Sequence, residues 1–560
     1  MERLAASVGL AYEQGVAPRF SPMLDVSCGG VLLALPAILA IGLLRHTEKH
    51  FSLPKGYYGL SSIFLLLCFL ALSRVKTVEK LRYETPGEWG KLLGLDRSPE
   101  ARTLRDKINL LAEAGHPIPW SAELCREWMQ ESPLQAQVCY VDGHVRVYHG
   151  DQTRLPRHFV SRQRLCLRAT ADYWVNAMDG QPFFVVHQDV DPGLVQVIEQ
   201  DIVAVLERDV PLQPSQMELE SNPLLHRFTV VFDREGYSPP LMLRLRQRRV
   251  ACLTYRKKPG DDWPEVEFSN REVHLVCGEL VTMRLAERGT FLGGLVWVRE
   301  FRRLTDSGHQ TAMVTTDYSG AMPVLAATMF ARWSQENFFA YMRSHYGLDK
   351  LISYGTEEVP DTVKVVNPEY RRLDGELRKR RSRMNRVAAE FGSLGLEGEI
   401  APLKVEAYER KKAGLQDETE VLSAEIEALK AERKTVERHI TFKELPEEAR
   451  FERLAINSKH FIDTIKMVAY RAETAMAQIM KEKMARHDDA RALLQSIYST
   501  EADFFPDEAA ETLTVRLHNM ASRSHDAAVG HLCDELNATE TVYPGTNLRM
   551  VYELVSLRIP

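Results

Sequence analysis

Three acids and two arginines stand at spacings that could support phosphodiester chemistry. Residues 331–343 read Ala-Arg-Trp-Ser-Gln-Glu-Asn-Phe-Phe-Ala-Tyr-Met-Arg, in a stretch with no proline after Pro323 and no glycine until Gly347. That pattern predicts one helix. At about 100° per residue, Arg332, Glu336 and Arg343 fall at about 0°, 40° and 20°, so one carboxylate is flanked by two guanidinium groups on a single face. Phe330, Trp333, Phe338 and Tyr341 offer aromatic surface for burial. Such Arg/Glu spacing also decorates solvated helix faces. Two further acids sit in strand-like settings: Asp142 in Tyr-Val-Asp-Gly-His, and Asp233 closing the apolar run Phe-Thr-Val-Val-Phe-Asp. Three carboxylates without a cysteine or histidine cluster favour Mg²⁺ or Mn²⁺. Two such ions about 3.5–4 Å apart can serve an in-line phosphoryl displacement.

The elements that must position these acids follow from the periodicity. Residues 137–150 read as two strands meeting around Asp142-Gly143, a pair that is also a favoured hairpin turn. Residues 181–188 read as a third strand and 194–207 as a helix, from the spacing of Leu194, Val197, Ile198, Ile202, Val205 and Leu206. A fourth strand ends at Asp233, a short helix follows, and residues 250–255 supply a fifth strand. Three strands, helix, strand, helix, strand is the order of the ribonuclease-H-like α/β fold. There the first and fourth strands are adjacent, which would bring Asp142 to Asp233, and a helix packed on the sheet could deliver Glu336. Alternating segments at 265–268, 272–277, 280–285 and 295–301 predict a β-rich insertion over about 261–318.

The flanks read differently. A helical region is expected over 1–130, with a helix-turn-helix pattern at 86–114 exposing Arg102, Arg105 and Lys107. Within it, residues 26–44 and 56–73 carry no charge and reach the length of membrane spans. Pro36, Gly29, Gly30 and Gly42 punctuate the first run, so buried core helices are the competing reading. Leu377, Met384 and Phe391 are spaced by seven, as are Leu415, Leu422, Leu429 and Val436. These predict an antiparallel coiled-coil arm over 366–442, turning near Gly392, Gly395 and Gly398. Residues 371–386 hold eight basic side chains against two acids. Arg378 and Arg381 are therefore candidates for tracking phosphate, against the alternative of a solvated coiled-coil flank. A helical C-terminal region is expected over 443–560. The net charge of −6 excludes a uniformly basic nucleic-acid binder. Eight scattered cysteines without a Cys-x-x-Cys pair give no zinc site and suit a reducing compartment. No n-region and h-region of a cleavable signal peptide opens the chain.

At these acids the chain resembles the DDE transposases of bacterial insertion sequences. One subgroup of that family carries the signature Tyr-x2-Arg-x3-Glu-x6-Lys, which here reads Met329-x2-Arg332-x3-Glu336-x6-Arg343. The arginine and glutamate match, the lysine is replaced by Arg343, and the tyrosine is absent. The resemblance covers roughly residues 25–370. It implies a ribonuclease-H-like catalytic domain over 131–355, in which Asp142, Asp233 and Glu336 are the catalytic, metal-binding acids. It further implies that Arg332, Arg343 and Arg234 contact DNA phosphate. Residues 57–74 and 86–105 look like the helices preceding the catalytic core of such enzymes, which favours buried helices over a membrane hairpin.

The resulting expectation is a cytoplasmic, nucleoid-associated enzyme. It would use two Mg²⁺ or Mn²⁺ ions to cleave double-stranded DNA at element ends and join them to target DNA, as a homodimer or a higher synaptic complex. Two alternatives stand beside it: a membrane-anchored coiled-coil scaffold, and a ribonuclease-H-like nuclease without strand transfer.

Overall fold

The computed structural model describes residues 15–150, 154–160, 163, 165–188, 193–275, 278–350, 356–394, 405–454 and 456–555. Residues 137–150 hold one continuous ten-residue strand, β1 (Val138–Val147), in place of the expected hairpin. The local turn preference of Asp142-Gly143 is overridden because both residues stay in register with the antiparallel strand Leu165–Asn176, although the parallel pairing on the other edge ends at Val141. Gly143 lies opposite Tyr173, and a Cβ there would come within 3.2 Å of the tyrosine ring. The second strand of the sheet is β2 (Leu165–Asn176), which the periodicity did not announce. β3 (Pro182–Gln188), β4 (Thr229–Phe232) and β5 (Ala251–Tyr255) complete the core strands. β4 is buried at all four positions, as a central parallel strand requires.

The core order is β3-β2-β1-β4-β5. β2 runs antiparallel to β1 and β3, while β1, β4 and β5 are mutually parallel. The insertion is not a separate layer. β6 (Ser269–His274), β7 (Leu280–Leu292), β8 (Val296–Leu304) and β9 (Gln310–Thr315) extend the same sheet, with β9 antiparallel to β5. Residues 265–268, expected as a strand, contain a 3₁₀ turn instead.

The two apolar runs near the start are broken into short buried pieces: Gly29–Ala34, Leu35–Ile41 and the 13-residue helix Leu60–Leu72. Among the described residues, no helix is long and apolar enough to cross a membrane. The backbone carbonyls freed where the first run breaks are met by indole N–H groups. Trp128 donates to Ile41 O at 2.8 Å and Trp120 to Arg45 O at 3.0 Å.

The ends of the chain depart from the helical regions expected over 1–130 and 443–560. Met23–Val26 pairs with Ala502–Asp507, which continues through Thr512–Leu517 to Arg549–Leu554 in a four-stranded sheet. The helix Ile456–Lys481 packs against Leu35–Ile41, Leu60–Leu72, Pro117–Glu131 and β3. Its Phe461 ring lies 5.2 Å from Phe64 and 5.4 Å from Phe51. Two compact units result, where four regions were expected: residues 1–148, 157–355 and 454–560 form one, and 149–156 with 356–453 form the other.

The second unit contains the antiparallel helices Pro368–Leu394 and Val405–Thr435. Leu377, Leu415 and Leu422 are buried as the heptads predict, but Phe391 is exposed, and Val387 and Leu394 take the seam. Gly392 lies within the first helix, and Gly395 and Gly398 fall outside the described residues.

Candidate active site

Val141 of β1 stands opposite Phe232 of β4 in parallel register, so the residues that follow, Asp142 and Asp233, leave the pairing side by side. Asp233 ends its strand by capping a 3₁₀ turn, its Oδ1 accepting from the Glu235 backbone N–H at 2.7 Å. Thr254 Oγ1, from β5, donates to the Asp233 carbonyl at 3.1 Å and fixes the strand end. Asp142 Oδ1 accepts from Gly143 N–H at 2.9 Å. Partial burial and the neighbouring Asp233 push the Asp142 carboxyl up to about 7, against the opposing pull of Arg332.

The third acid arrives on a helix whose shape differs from the single helix expected. α1 (Met322–Ala331) and α2 (Trp333–Tyr346) meet at Arg332. There the backbone N–H bonds to Met329 O at 3.4 Å, an i−3 contact that interrupts the α-helical ladder. Tyr140 of β1 donates its hydroxyl to Thr328 O at 2.7 Å and pins α1 to the sheet. Gln335, fully buried, pins α2: its Nε2 donates to Tyr140 O at 3.1 Å, Trp174 O at 3.3 Å and Asn176 Oδ1 at 2.9 Å. The inward stripe of α2 is Gln335, Phe338, Phe339, Met342 and Tyr346. Trp333 lies off that stripe and is 66% exposed, contrary to the expected burial.

Glu336 follows the anchored Gln335 directly, and Arg332 joins it to β1. Arg332 Nη2 donates to Glu336 Oε1 at 2.6 Å, while Nη1 stands 3.6 Å from Asp142 Oδ2. Asp142 and Asp233 thus lie side by side at one end of the sheet, and Arg332 stands between Asp142 and Glu336. Arg234 is exposed beside them, its guanidinium 5.8 Å from the centre of the Tyr255 ring. Arg343 lies seven residues beyond Glu336, roughly 10 Å along the axis. Its Nε donates to Phe339 O at 3.1 Å, within its own helix. Met329, at the position of the signature tyrosine, is buried.

The outlying basic candidates are mixed. On the helix Ala101–Ala114, Arg102 is exposed, Arg105 pairs with Glu79, and Lys107 is half-buried, which lowers its amine's affinity for a proton. On Pro368–Leu394, Arg378 pairs with Asp374, whereas Arg381 is exposed. Arg380 pairs with Glu425 at 2.6 Å and Arg383 with Glu418 at 2.7 Å. Much of the basic character of 371–386 is therefore neutralised between the two helices.

Among the described residues, the groups of three that offer ligand atoms all within 4.8 Å are Asp172, His187 and Asp463, and the more open Asp25, Asp503 and His518; Asp142, Asp233 and Glu336 do not approach one another that closely. The buried group already carries its own cations. Arg146 stands 2.5 Å from Asp172 and 2.6 Å from Asp463, and Lys459 also bonds Asp172. Both acids are held below the ordinary carboxylate range by these charges despite burial. Two carboxylates balanced by two fixed cations need no metal to be stable, and a further dication would meet like charge.

Three features of the site were not singled out from the sequence: Gln335, Tyr140 and β2. A polar residue on the apolar stripe that runs through Phe338, Phe339 and Met342 was the available signal for Gln335. Tyr140 carried none beyond its place two residues before Asp142.

A family described as "Transposase protein" matches residues 1–556. No curated protein matches the chain. A cryo-EM structure of the piggyBac transposase synaptic complex with hairpin DNA is similar over 84% of this chain and 84% of that one, with 9% identity and a TM-score of 0.29. At that score the likeness bears on neither fold nor mechanism.

Proposed function

The chain belongs to the Transposase protein family, and from that premise we propose that it cleaves DNA at element ends and joins them to target DNA. The observation that supports this reading is that Asp142 and Asp233 leave two adjacent parallel strands side by side, while Arg332 bonds Glu336 at 2.6 Å and stands 3.6 Å from Asp142. The strand order β3-β2-β1-β4-β5, with β2 antiparallel, supports a ribonuclease-H-like core. The resemblance to DDE transposases of insertion sequences rests on the same acids.

The donor set suits Mg²⁺ or Mn²⁺, because all three candidate ligands are carboxylates. The structure adds a reason of its own: Asp142 is destabilised as an anion by burial and by Asp233, a cost that a dication would offset. Bound ions would supply activation of the attacking oxygen and stabilisation of the leaving one. The protein's part is to hold the carboxylates in place, through β1 and β4 for the aspartates and through Gln335 for Glu336. Asp142, whose carboxyl holds its proton more tightly than usual, would have to give it up to take a cation. Arg332 and Arg234 offer guanidinium groups to phosphate oxygens, and Arg343 would reach them only by leaving its own helix. Arg102 and Arg381, both exposed, are the better placed of the outlying basic residues to contact the duplex. The partner is double-stranded DNA, and a homodimer or larger synaptic complex fits the need to hold two element ends.

The test is incubation of the full chain with Mg²⁺ and duplexes carrying the terminal repeats that flank its gene. Cleaved and joined products support transposition. Cleavage without joining would favour the nuclease reading, and no product would overturn both.

A further inference from the structure

One guanidinium faces two of the three carboxylates. Arg332 bonds Glu336 at 2.6 Å and stands 3.6 Å from Asp142, in a position where its side chain is 14% exposed. A divalent cation bound by Asp142 and Glu336 would need the same oxygens at about 2.0–2.1 Å for Mg²⁺. Two cations competing for one pair of anions repel each other, so the arginine must yield. Its location allows this. Arg332 is the junction residue between α1 and α2, so its stem projects from an interruption in the helix and not from a packed interior turn. Gln335 holds α2 on the sheet independently of the arginine.

We propose that Arg332 is the resident counter-cation of the carboxylate cluster, displaced by the divalent metal and thereby released to take a phosphate oxygen of the DNA. This rests on the reading of Asp142, Asp233 and Glu336 as metal ligands. Linkage makes the exchange reciprocal: DNA that captures the arginine raises the metal affinity by the same factor that the metal raises DNA affinity. The chain alone then holds metal weakly, and the substrate completes the site.

The experiment measures Mn²⁺ binding to the full chain by the electron paramagnetic resonance of free Mn²⁺, with and without a short duplex. Without DNA, R332A and the near-isosteric R332Q should bind Mn²⁺ about 2- to 5-fold more tightly than the wild type, the range expected from removing one partly exposed ion pair. The duplex should tighten Mn²⁺ binding by the wild type and do so much less for R332Q. Wild-type or weaker Mn²⁺ affinity in folded R332Q, with binding lost in D142N, would overturn the counter-cation role alone. Undiminished binding in D142N would overturn the metal-ligand reading, and the proposal with it.

Discussion

The side-chain amide of Gln335 donates to the backbone carbonyl of Tyr140 at 3.1 Å, from a position with no solvent exposure. That bond ties the helix carrying Glu336 to the strand carrying Asp142, two residues from one acid and one residue from the other. The separation of the acids is therefore set by a buried polar contact.

Replacing Gln335 by Met keeps length and apolar contact but removes the donor. It should destabilise the fold by about 1–3 kcal/mol, the usual cost of leaving buried acceptors unmet. It should also raise the Mg²⁺ concentration needed for half-maximal cleavage. Urea unfolding read beside a Mg²⁺ titration checks both, and an unchanged Mg²⁺ requirement would show that the amide supports the fold without positioning Glu336.

Metal affinity should rise with pH through about 7, where Asp142 loses its proton. The sign follows from the direction of the shift. Its folded-state value lies above the ordinary 3.8, so below about 7 the folded chain keeps a proton that a metal ion must expel. For the same reason, stability without metal should fall as pH rises from about 4 to about 7. Mn²⁺ titrations at pH 6 and pH 8 are the measurement, and D142N should lose the pH dependence together with most of the binding.

The network of Asp172, Asp463, Arg146 and Lys459 should behave oppositely. Its acids are held below the ordinary 3.8, so their contribution is present above that value and lost as pH falls through and below it. His460, pushed down to about 3, adds a loss as pH falls below 6.5, where the unfolded chain takes up the proton first. Asp172→Ala should cost about 3–5 kcal/mol by leaving buried cations unpaired, and a chelator should leave the wild-type melting temperature unchanged. A chelator-induced drop in melting temperature that D172A abolishes would make this group a metal site after all.

How legible the site was in the sequence depended on how local its causes are. Asp233 could be read because β4 is a short run of apolar residues buried on both faces, a pattern independent of distant partners. Asp142 was found, but its strand was misread as a hairpin, since Asp-Gly favours a turn until the antiparallel neighbour β2 holds it extended. β2 hides Asp172, which is tolerable in the core only because Arg146 and Lys459 meet it from other elements. The pairing of Met23–Val26 with Ala502–Asp507 joins residues nearly 480 positions apart, beyond the reach of any local pattern. In the arm, the heptads at Leu415 and Leu422 held, whereas Phe391 gave way to Val387 and Leu394 on the seam.

The central claim is that Asp142, Asp233 and Glu336 together hold the metal that cuts DNA. Its most direct test is Mg²⁺-dependent cleavage of terminal-repeat duplexes by D142N, D233A and E336Q, each compared with the wild type for DNA binding. Each substitution should lower cleavage by about a thousandfold or more, as removal of a several-kcal/mol electrostatic contribution requires, with DNA binding largely kept. Near-normal cleavage by any one of the three would remove that residue from the ligand set and contradict the account.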